Sequence, residues 1–371
     1  MTTDVLQENL LRALARAGRL VPTKPQLPVI QNVLLSSNSE GLAVTATNLE
    51  TTETVRVGAK VETQGGICVS SRLLLDFVST LPQGTVHLVV SEGALRLQSG
   101  GFRAMIPGVA AEEFPPVVTD ARDEKTGFSA EKTELEKAIN SVVFAAATDE
   151  GRPLLTGVKI AKKEGGAVFA ATDGYRLSVK KTTLKPKEAL DILVPARALF
   201  EVMKVSGEEK TVKEIQMTKP TDAQMAFIIG DTDISTRLID GDYPDFEKRI
   251  PTKWNTRVLF EKESLARAVK SASIFARDSA NIIRIRIDGG AVTISANTPQ
   301  VGEDEVDVEA KIEGEGGEIA FNSRFLAEFL SNYFESELVF EMTGSLNPGV
   351  FRPAKDDSLV HLIMPVRVSS E

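Results

Sequence analysis

Carboxylates dominate the reactive side chains of this 371-residue sequence, with Asp and Glu numbering 52. Asp231, Asp233, Asp240, Asp242 and Asp245 crowd one stretch, and Asp173 lies upstream. Paired carboxylates can act as general acid and base, but at this abundance such pairs also arise by chance. The phosphate-binding G-x-x-x-x-G-K-[ST] loop, G-x-G-x-x-G after a strand, H-E-x-x-H and G-x-S-x-G do not occur. One cysteine excludes an internal disulfide framework and multi-cysteine metal sites. His87 and His361 are too few and too far apart for a histidine cluster. No cofactor and no metal are expected, and the chemistry to look for is binding rather than catalysis.

Composition agrees with a folded, soluble chain: 42% of residues are hydrophobic and 26% charged. The start, MTTDVLQENL, has no apolar run after a basic segment, and no stretch approaches the length of a membrane span, so a cytoplasmic protein is expected. A net charge of −9 argues against a protein that coats nucleic acid by charge alone.

Binding surfaces need elements to carry them, and these recur along the chain. VSSRLLLDFV (69–78), VPARALFEVM (194–203) and FNSRFLAEFL (321–330) each read as a strand end feeding a helix, with starts 125 and 127 residues apart. Leu10–Leu14, Leu135–Ile139 and Leu265–Val269 share leucine, a basic residue and alanine on an amphipathic helix. GLAVTATN (41–48), GAVFAATD (166–173) and AVTISAN (291–297) are alternating strands closing on Asn or Asp. Late strands follow within 101–116, 235–245 and 360–368. Four triplets in one order at a near-constant period predict three homologous α+β domains over 1–120, 127–248 and 255–371. Each holds two helices and antiparallel strands, with polar linkers at 119–127 and 249–257.

Basic residues fall on the helices in register: Arg12, Arg16 and Arg19, then Lys132 and Lys137, then Arg267 and Lys270 on the first helices. Arg72, Arg197, Lys204 and Arg324 follow on the second helices. That recurrence predicts one positive stripe on an acidic body, suited to tracking phosphates weakly. The segment 301–318 holds eight acidic residues, against Arg72, Arg96 and Arg103 in the first repeat. This asymmetry fits head-to-tail contact between copies, or equally an edge strand protected by charge. At about 8–10 Å per packed helix, six helices enclose an opening of only about 10 Å once helix thickness is subtracted. Twelve helices leave roughly 28 Å, so two copies could encircle a duplex and one could not.

ATDGYRLSV (171–179), RPLLTGV (152–158), DYPDF (242–246) and LIMPVR (362–367) closely resemble the bacterial sliding-clamp family, and the resemblance covers the whole chain. It implies a head-to-tail homodimer, a ring of six domains with helices lining the hole. Such a ring encircles double-stranded DNA without sequence specificity, tethers the replicative polymerase and catalyses nothing. It also implies a clamp loader and other partners that insert a short motif, with a glutamine and apolar anchors, into a hydrophobic pocket. By motif, that pocket is Arg152, Leu155, Thr172, Gly174, Tyr175, Arg176, Leu177, Pro244, Lys248, Pro348, Leu362, Met364 and Pro365. Asp173-Gly174 is expected to make a tight turn that exposes backbone donors and acceptors to a peptide. The dimer contact falls on Ile274 and Phe275 against Ile106, with Glu303, Asp304 and Glu305 facing Arg96, Arg103 and Arg72. DNA-facing residues are Lys24, Arg72, Lys137, Arg197, Arg267 and Arg324.

Four positions depart from the family. Tyr175 stands where histidine is common, removing a titratable group but keeping an aromatic wall. Arg249 stands where an apolar pocket residue is common, and Ile250 is placed to replace it. Paired aromatics after Arg152 are replaced by Pro153 and Leu154. Two other classes compete: an enzyme built on Asp173, and a monomeric repeat scaffold that binds peptides without encircling DNA.

Overall fold

Leu10, Ala13, Leu14 and Ala17 recur at helical spacing, and helix α1 (Gln7–Ala17) forms by burying that stripe. The same spacing builds α2 (Ser71–Ser79), α3 (Lys132–Asn140), α4 (Ala196–Glu208), α5 (Lys262–Ala276) and α6 (Ser323–Ser331), two per repeat. Strands Gly65–Ser70, Asp191–Pro195 and Gly317–Asn322 feed α2, α4 and α6, as the repeat pattern predicts. Side chains cap the starts of α2, α5 and α6. Ser70 Oγ, Glu261 Oε2 and Asn322 Oδ1 accept the backbone N–H of Leu73 (3.4 Å), Ser264 (3.0 Å) and Arg324 (3.0 Å).

The computed structural model describes residues 1–117, 122, 127–186, 190–299 and 302–367. Most of the linker expected over 119–127, and the tail after Arg367, lie outside the described residues. Two compact units emerge, one from Met1–Lys132 with Arg197–Leu238, the other from Thr133–Ala196 with Ile239–Glu371. The middle repeat thus contributes to both, because its strands pair with strands of each neighbouring repeat.

In the first unit, thirteen strands form one sheet. It crosses a repeat boundary where Thr232–Arg237 pairs antiparallel with Thr51–Val57, Ile234 opposite Glu53. Its core gathers Leu10 and Leu14 of α1 and Leu74 and Val78 of α2 with strand residues such as Val33, Val44 and Leu88.

The second unit has a nine-stranded and a four-stranded sheet. The larger one crosses the other boundary, Arg176–Lys181 pairing antiparallel with Leu359–Ile363. Beneath it Phe321, Phe329, Phe340 and Phe351 pack edge to face or tilted, with centroids 5.0–6.1 Å apart. Gly349 is required there, since a Cβ would meet the Phe321 ring at 2.3 Å.

The first unit also buries charge. Arg16, expected on a polar helix face, is 4% exposed. It donates to Glu208 (3.0 Å), Glu209 (2.8 Å) and the Thr232 hydroxyl (2.7 Å), while Arg19 pairs with Glu208. Lys132 likewise donates to the Glu209 carbonyl at 2.7 Å. Arg16 and Arg19, at and just after the end of α1, and Lys132, the first residue of α3, are therefore tied to Glu208 and Glu209 at the end of α4 rather than serving a solvent-facing stripe. Helical spacing could not separate Arg16 from Arg12, because its partners Glu208, Glu209 and Thr232 lie about two hundred residues away in the chain.

Glu53, 1% exposed, has no hydrogen-bond partner for either carboxylate oxygen among the described residues. Desolvation pushes its pKa up to about 7, partly opposed by Arg19 and Arg16 and reinforced by Glu201 and Glu208. A carboxyl raised in the fold stabilises most below its unfolded pKa, and that contribution is lost as pH rises through about 7. Glu53→Gln should remove a pH-dependent loss on the order of 3 kcal/mol. Urea midpoints measured from pH 5 to 8.5 should flatten in the variant; an unchanged slope would place the proton elsewhere.

Candidate functional site

The site follows from one strand pair in the second unit. In the register Leu177 opposite Leu362 and Val179 opposite Val360, side chains alternate between two faces. One face collects Ala170, Leu177, Val179, Val350, Val360 and Leu362 into an apolar floor, against which Phe246 and Ile250 pack. Ile250 does occupy the apolar edge, while Arg249 is exposed within a short turn of helix at Glu247–Arg249.

The other face carries Arg176, Ser178 and His361. Arg176 is buried and takes part in several ties: Asp173 Oδ2 (3.1 Å), Glu328 Oε2 (2.5 Å) and the Phe144 carbonyl (2.6 Å). Its guanidinium also lies 4.6 Å from the Phe325 ring. It is thus a brace for the socket and is not open to a ligand. His361 stacks on Phe329 with centroids 4.4 Å apart and planes 2° from parallel. Both its nitrogens lack partners among the described residues.

The Asp173-Gly174 turn is tight, with Gly174 at φ +91°. It is closed from within, contrary to the expectation that its backbone faces a ligand. Asp173 Oδ1 accepts the N–H of Tyr175 (2.8 Å) and Arg176 (2.9 Å), and Thr172 Oγ1 accepts that of Gly174 (3.0 Å). Arg152 donates to the Asp173 carbonyl (2.7 Å) and the Met364 N–H to that of Tyr175 (2.8 Å). Sequence reasoning passed over Tyr243, whose hydroxyl accepts the Thr172 N–H at 3.0 Å; burial pushes that phenol up. Phe246 and Val360 also belong to this apolar cluster, and alternation through the strand Leu359–Ile363 carried the signal for Val360.

Tyr175 (61% exposed) and Met364 (45%) stand out around this braced frame, with Tyr175 stacked 6.5 Å from Phe325. Leu155, Thr172, Pro348 and Pro365 are half-buried, and Gly174 and Pro244 are exposed. Lys248 is exposed and pairs with Asp245 at 2.7 Å. Tyr175 and Met364 thus leave apolar surface exposed beside a buried apolar cluster.

Two further surfaces carry the remaining candidates. In the first unit, residues Phe102–Pro107 of strand Phe102–Ala110 pair on one side only, with Ala94–Ser99, among the described residues. Ile106 is 3% exposed and belongs to the core, so it cannot be the contact residue. Alternation turns Met105 (63% exposed) and Val109 outward instead, and Phe102, the first residue of the strand, is also exposed. Arg96 and Arg103 are exposed there, Arg96 within 3.4 Å of Glu92. In the second unit, Gly302–Val308 is an edge strand. Ile274 is exposed on α5 and Phe275 packs partly on the core. Glu303 and Glu305 face outward, Glu305 near Arg286 (3.3 Å). Asp304 turns inward to accept from Ser271 at 3.2 Å, so it does not face a partner.

Lys24, Arg72 and Arg197 are exposed in the first unit, and Lys137, Arg267 and Arg324 in the second. Five of the six lie on helices, Lys24 alone in a loop. Lys137 is partly neutralised by Glu335 at 2.8 Å.

The models of the N-terminal, central and C-terminal domains of the DNA polymerase III beta subunit match residues 1–119, 129–245 and 247–367 in that order. The beta sliding clamp of Synechococcus elongatus is 31% identical over 98% of both chains. The DNA polymerase sliding clamp of Bacillus subtilis superposes with a TM-score of 0.93 over all of both chains, at 23% identity. That of Pseudomonas aeruginosa, solved with a ligand, gives 0.91 over 99% of this chain and all of the other, at 26% identity.

Burial holds the His361 pKa well below 6.5, with nearby Arg176 adding to the effect. Its contribution to stability is complete above the unfolded value, near pH 6.5, and declines as pH falls below it. His361→Phe should blunt the acid-side fall in melting temperature between pH 7 and 5, read by differential scanning fluorimetry. A parallel fall in both proteins would count against it.

Proposed function

Because the chain belongs to the DNA polymerase III beta subunit family, the bacterial beta sliding clamps, and is a DNA polymerase processivity factor, we propose that two copies close head to tail around duplex DNA. The end-to-end match of three clamp-domain models, in order, carries this reading. The repeats 1–120, 127–248 and 255–371 then double to six domains. Two open strand edges of opposite charge support the closure: Phe102–Pro107, flanked by Arg96 and Arg103, and Gly302–Val308, with Glu303 and Glu305. Backbone pairing across such edges satisfies groups otherwise left to water. Met105, Phe102 and Ile274 supply apolar area, and the charges set orientation and encounter rate.

Topology, rather than affinity, then holds DNA. Each phosphate contact adds to the salt dependence and to the barrier against sliding. A few exposed cations, Lys24, Arg72, Arg197, Arg267 and Arg324, are enough to keep the duplex centred. The acidic exterior disfavours stray duplex. The ring works in the cytoplasm, is opened by a loader ATPase and performs no reaction of its own.

The socket around Leu177, Leu362, Tyr175 and Met364 receives a short segment of the polymerase or of another replication or repair protein, anchored by apolar side chains. Met364 is flexible and adapts to different anchors.

Two measurements test this. A loaded complex should stay on closed circular DNA and be lost when the circle is cut; equal retention on both templates would overturn the ring. Met364→Ala should weaken binding of a polymerase C-terminal peptide about tenfold in a fluorescence-anisotropy titration, with the dimer mass unchanged in light scattering. Unaltered affinity would remove Met364 from the site.

A further inference from the structure

The strand ladder beside the socket ends early. Gly157–Lys163 and Gly166–Thr172 pair antiparallel only as far as Lys159 opposite Ala170. Thr172 lies two residues beyond that last pair, although on its other side it still stands opposite Leu177 of the socket floor. A backbone N–H at such a strand end has to find its acceptor elsewhere. The Tyr243 hydroxyl supplies it at 3.0 Å, from 71 residues further along the chain.

Tyr243 belongs to the stretch 239–246, which forms neither helix nor strand. At its start the Ile239 N–H donates to the Leu193 carbonyl at 2.9 Å. At its end Phe246 packs on the socket floor and meets the Tyr243 ring edge to face, with centroids 6.3 Å apart. Pro244 follows Tyr243 directly in the chain. One hydrogen bond therefore links two walls of the socket. The first is the 172–176 turn, which carries Tyr175; the second is the stretch that carries Pro244, Phe246 and Ile250.

Thr172 is also the residue on which that turn closes. Its Oγ1 accepts the Gly174 N–H at 3.0 Å and donates to the Arg176 carbonyl at 2.6 Å. Holding the Thr172 backbone thus holds the whole turn. Tyr243 is half-buried, and that burial pushes its phenol up and keeps the hydroxyl neutral.

We propose that Tyr243 is a positioning residue for the socket: its hydroxyl keeps the 172–176 turn and the 239–250 stretch in the arrangement that receives a partner segment, without touching that segment. The proposal rests on the socket reading above. Without the hydroxyl the Thr172 N–H loses its acceptor, and the turn samples other arrangements. Only a fraction of molecules is then competent, so the loss of affinity appears in association. A side chain in contact with the ligand would instead change mainly dissociation.

Tyr243→Phe in the full-length protein keeps the ring and removes the accepting oxygen. Stopped-flow anisotropy with a fluorescein-labelled polymerase C-terminal peptide should show association about fivefold slower. Dissociation should stay within about twofold of the parent, with the dimer mass unchanged in light scattering. The Thr172 amide should be protected from hydrogen exchange in the parent and exchange about tenfold faster in the variant. Equal association rates would overturn the proposal. Rapid Thr172 exchange in the parent would overturn it too, a result that needs no variant. Faster dissociation at an unchanged association rate would place Tyr243 in contact with the segment, against the proposal. Loss of the dimer together with peptide binding would make the hydroxyl a requirement of the fold, also against it. Absence of peptide binding by the parent would overturn the socket itself, and this reading with it.

Discussion

The antiparallel pairing of Arg176–Lys181 with Leu359–Ile363 is the constraint on which the rest of the second unit depends. It joins strands almost two hundred residues apart, so closing it orders a long stretch of chain. Its register sends Leu177, Val179, Val360 and Leu362 to one face, and Arg176, Ser178 and His361 to the other. A slip of one residue would exchange the two sets, placing a cation and an imidazole in the socket and leucines against the Phe329 core. The buried ties of Arg176 to Asp173, Glu328 and Phe144 oppose such a slip, because each would leave an unpaired polar group behind.

That arrangement separates bracing from binding. Polar groups near the socket mostly serve the protein: the 173–176 turn hydrogen-bonds to itself, Tyr243 holds Thr172, and Arg152 holds the Asp173 carbonyl. Exposed groups such as Tyr175 and Met364 then stand on a rigid frame, which limits the ordering cost when a flexible segment docks. The first unit uses charge in a comparable way. Arg16 and Arg19 are tied to Glu208 at the end of α4, leaving Lys24, Arg72 and Arg197 exposed. A net charge of −9 is compatible with DNA work once holding is topological and a few positive side chains suffice.

Much of this was legible in one dimension. The 125-residue period located all six helices, because amphipathic spacing and the strand ends that feed helices are local properties. Leu177 and Leu362 could be marked as apolar floor, and Ile250 as the replacement at the edge. Errors arose where a side chain's direction depends on a partner far along the chain. Arg16 reads in the sequence as one more exposed helix cation, but Glu208, Glu209 and Thr232 hold it in a buried position. Ile106 looked like a contact residue, whereas alternation along Phe102–Ala110 turns it into the core and Met105 outward. Asp304 sits in an acidic run but points at Ser271.

The sequence by itself determined the three repeats, the helices and their stripes, since these follow from spacing and composition. Only the tertiary structure decided that the sheets cross the repeat boundaries and that the middle repeat is shared between two compact units. It also decided which of several similar charges are buried braces and which remain exposed. The physical reason is that strand register and the burial of a charge are set by partners distant in sequence. Neither leaves a local period that a single chain can be read for.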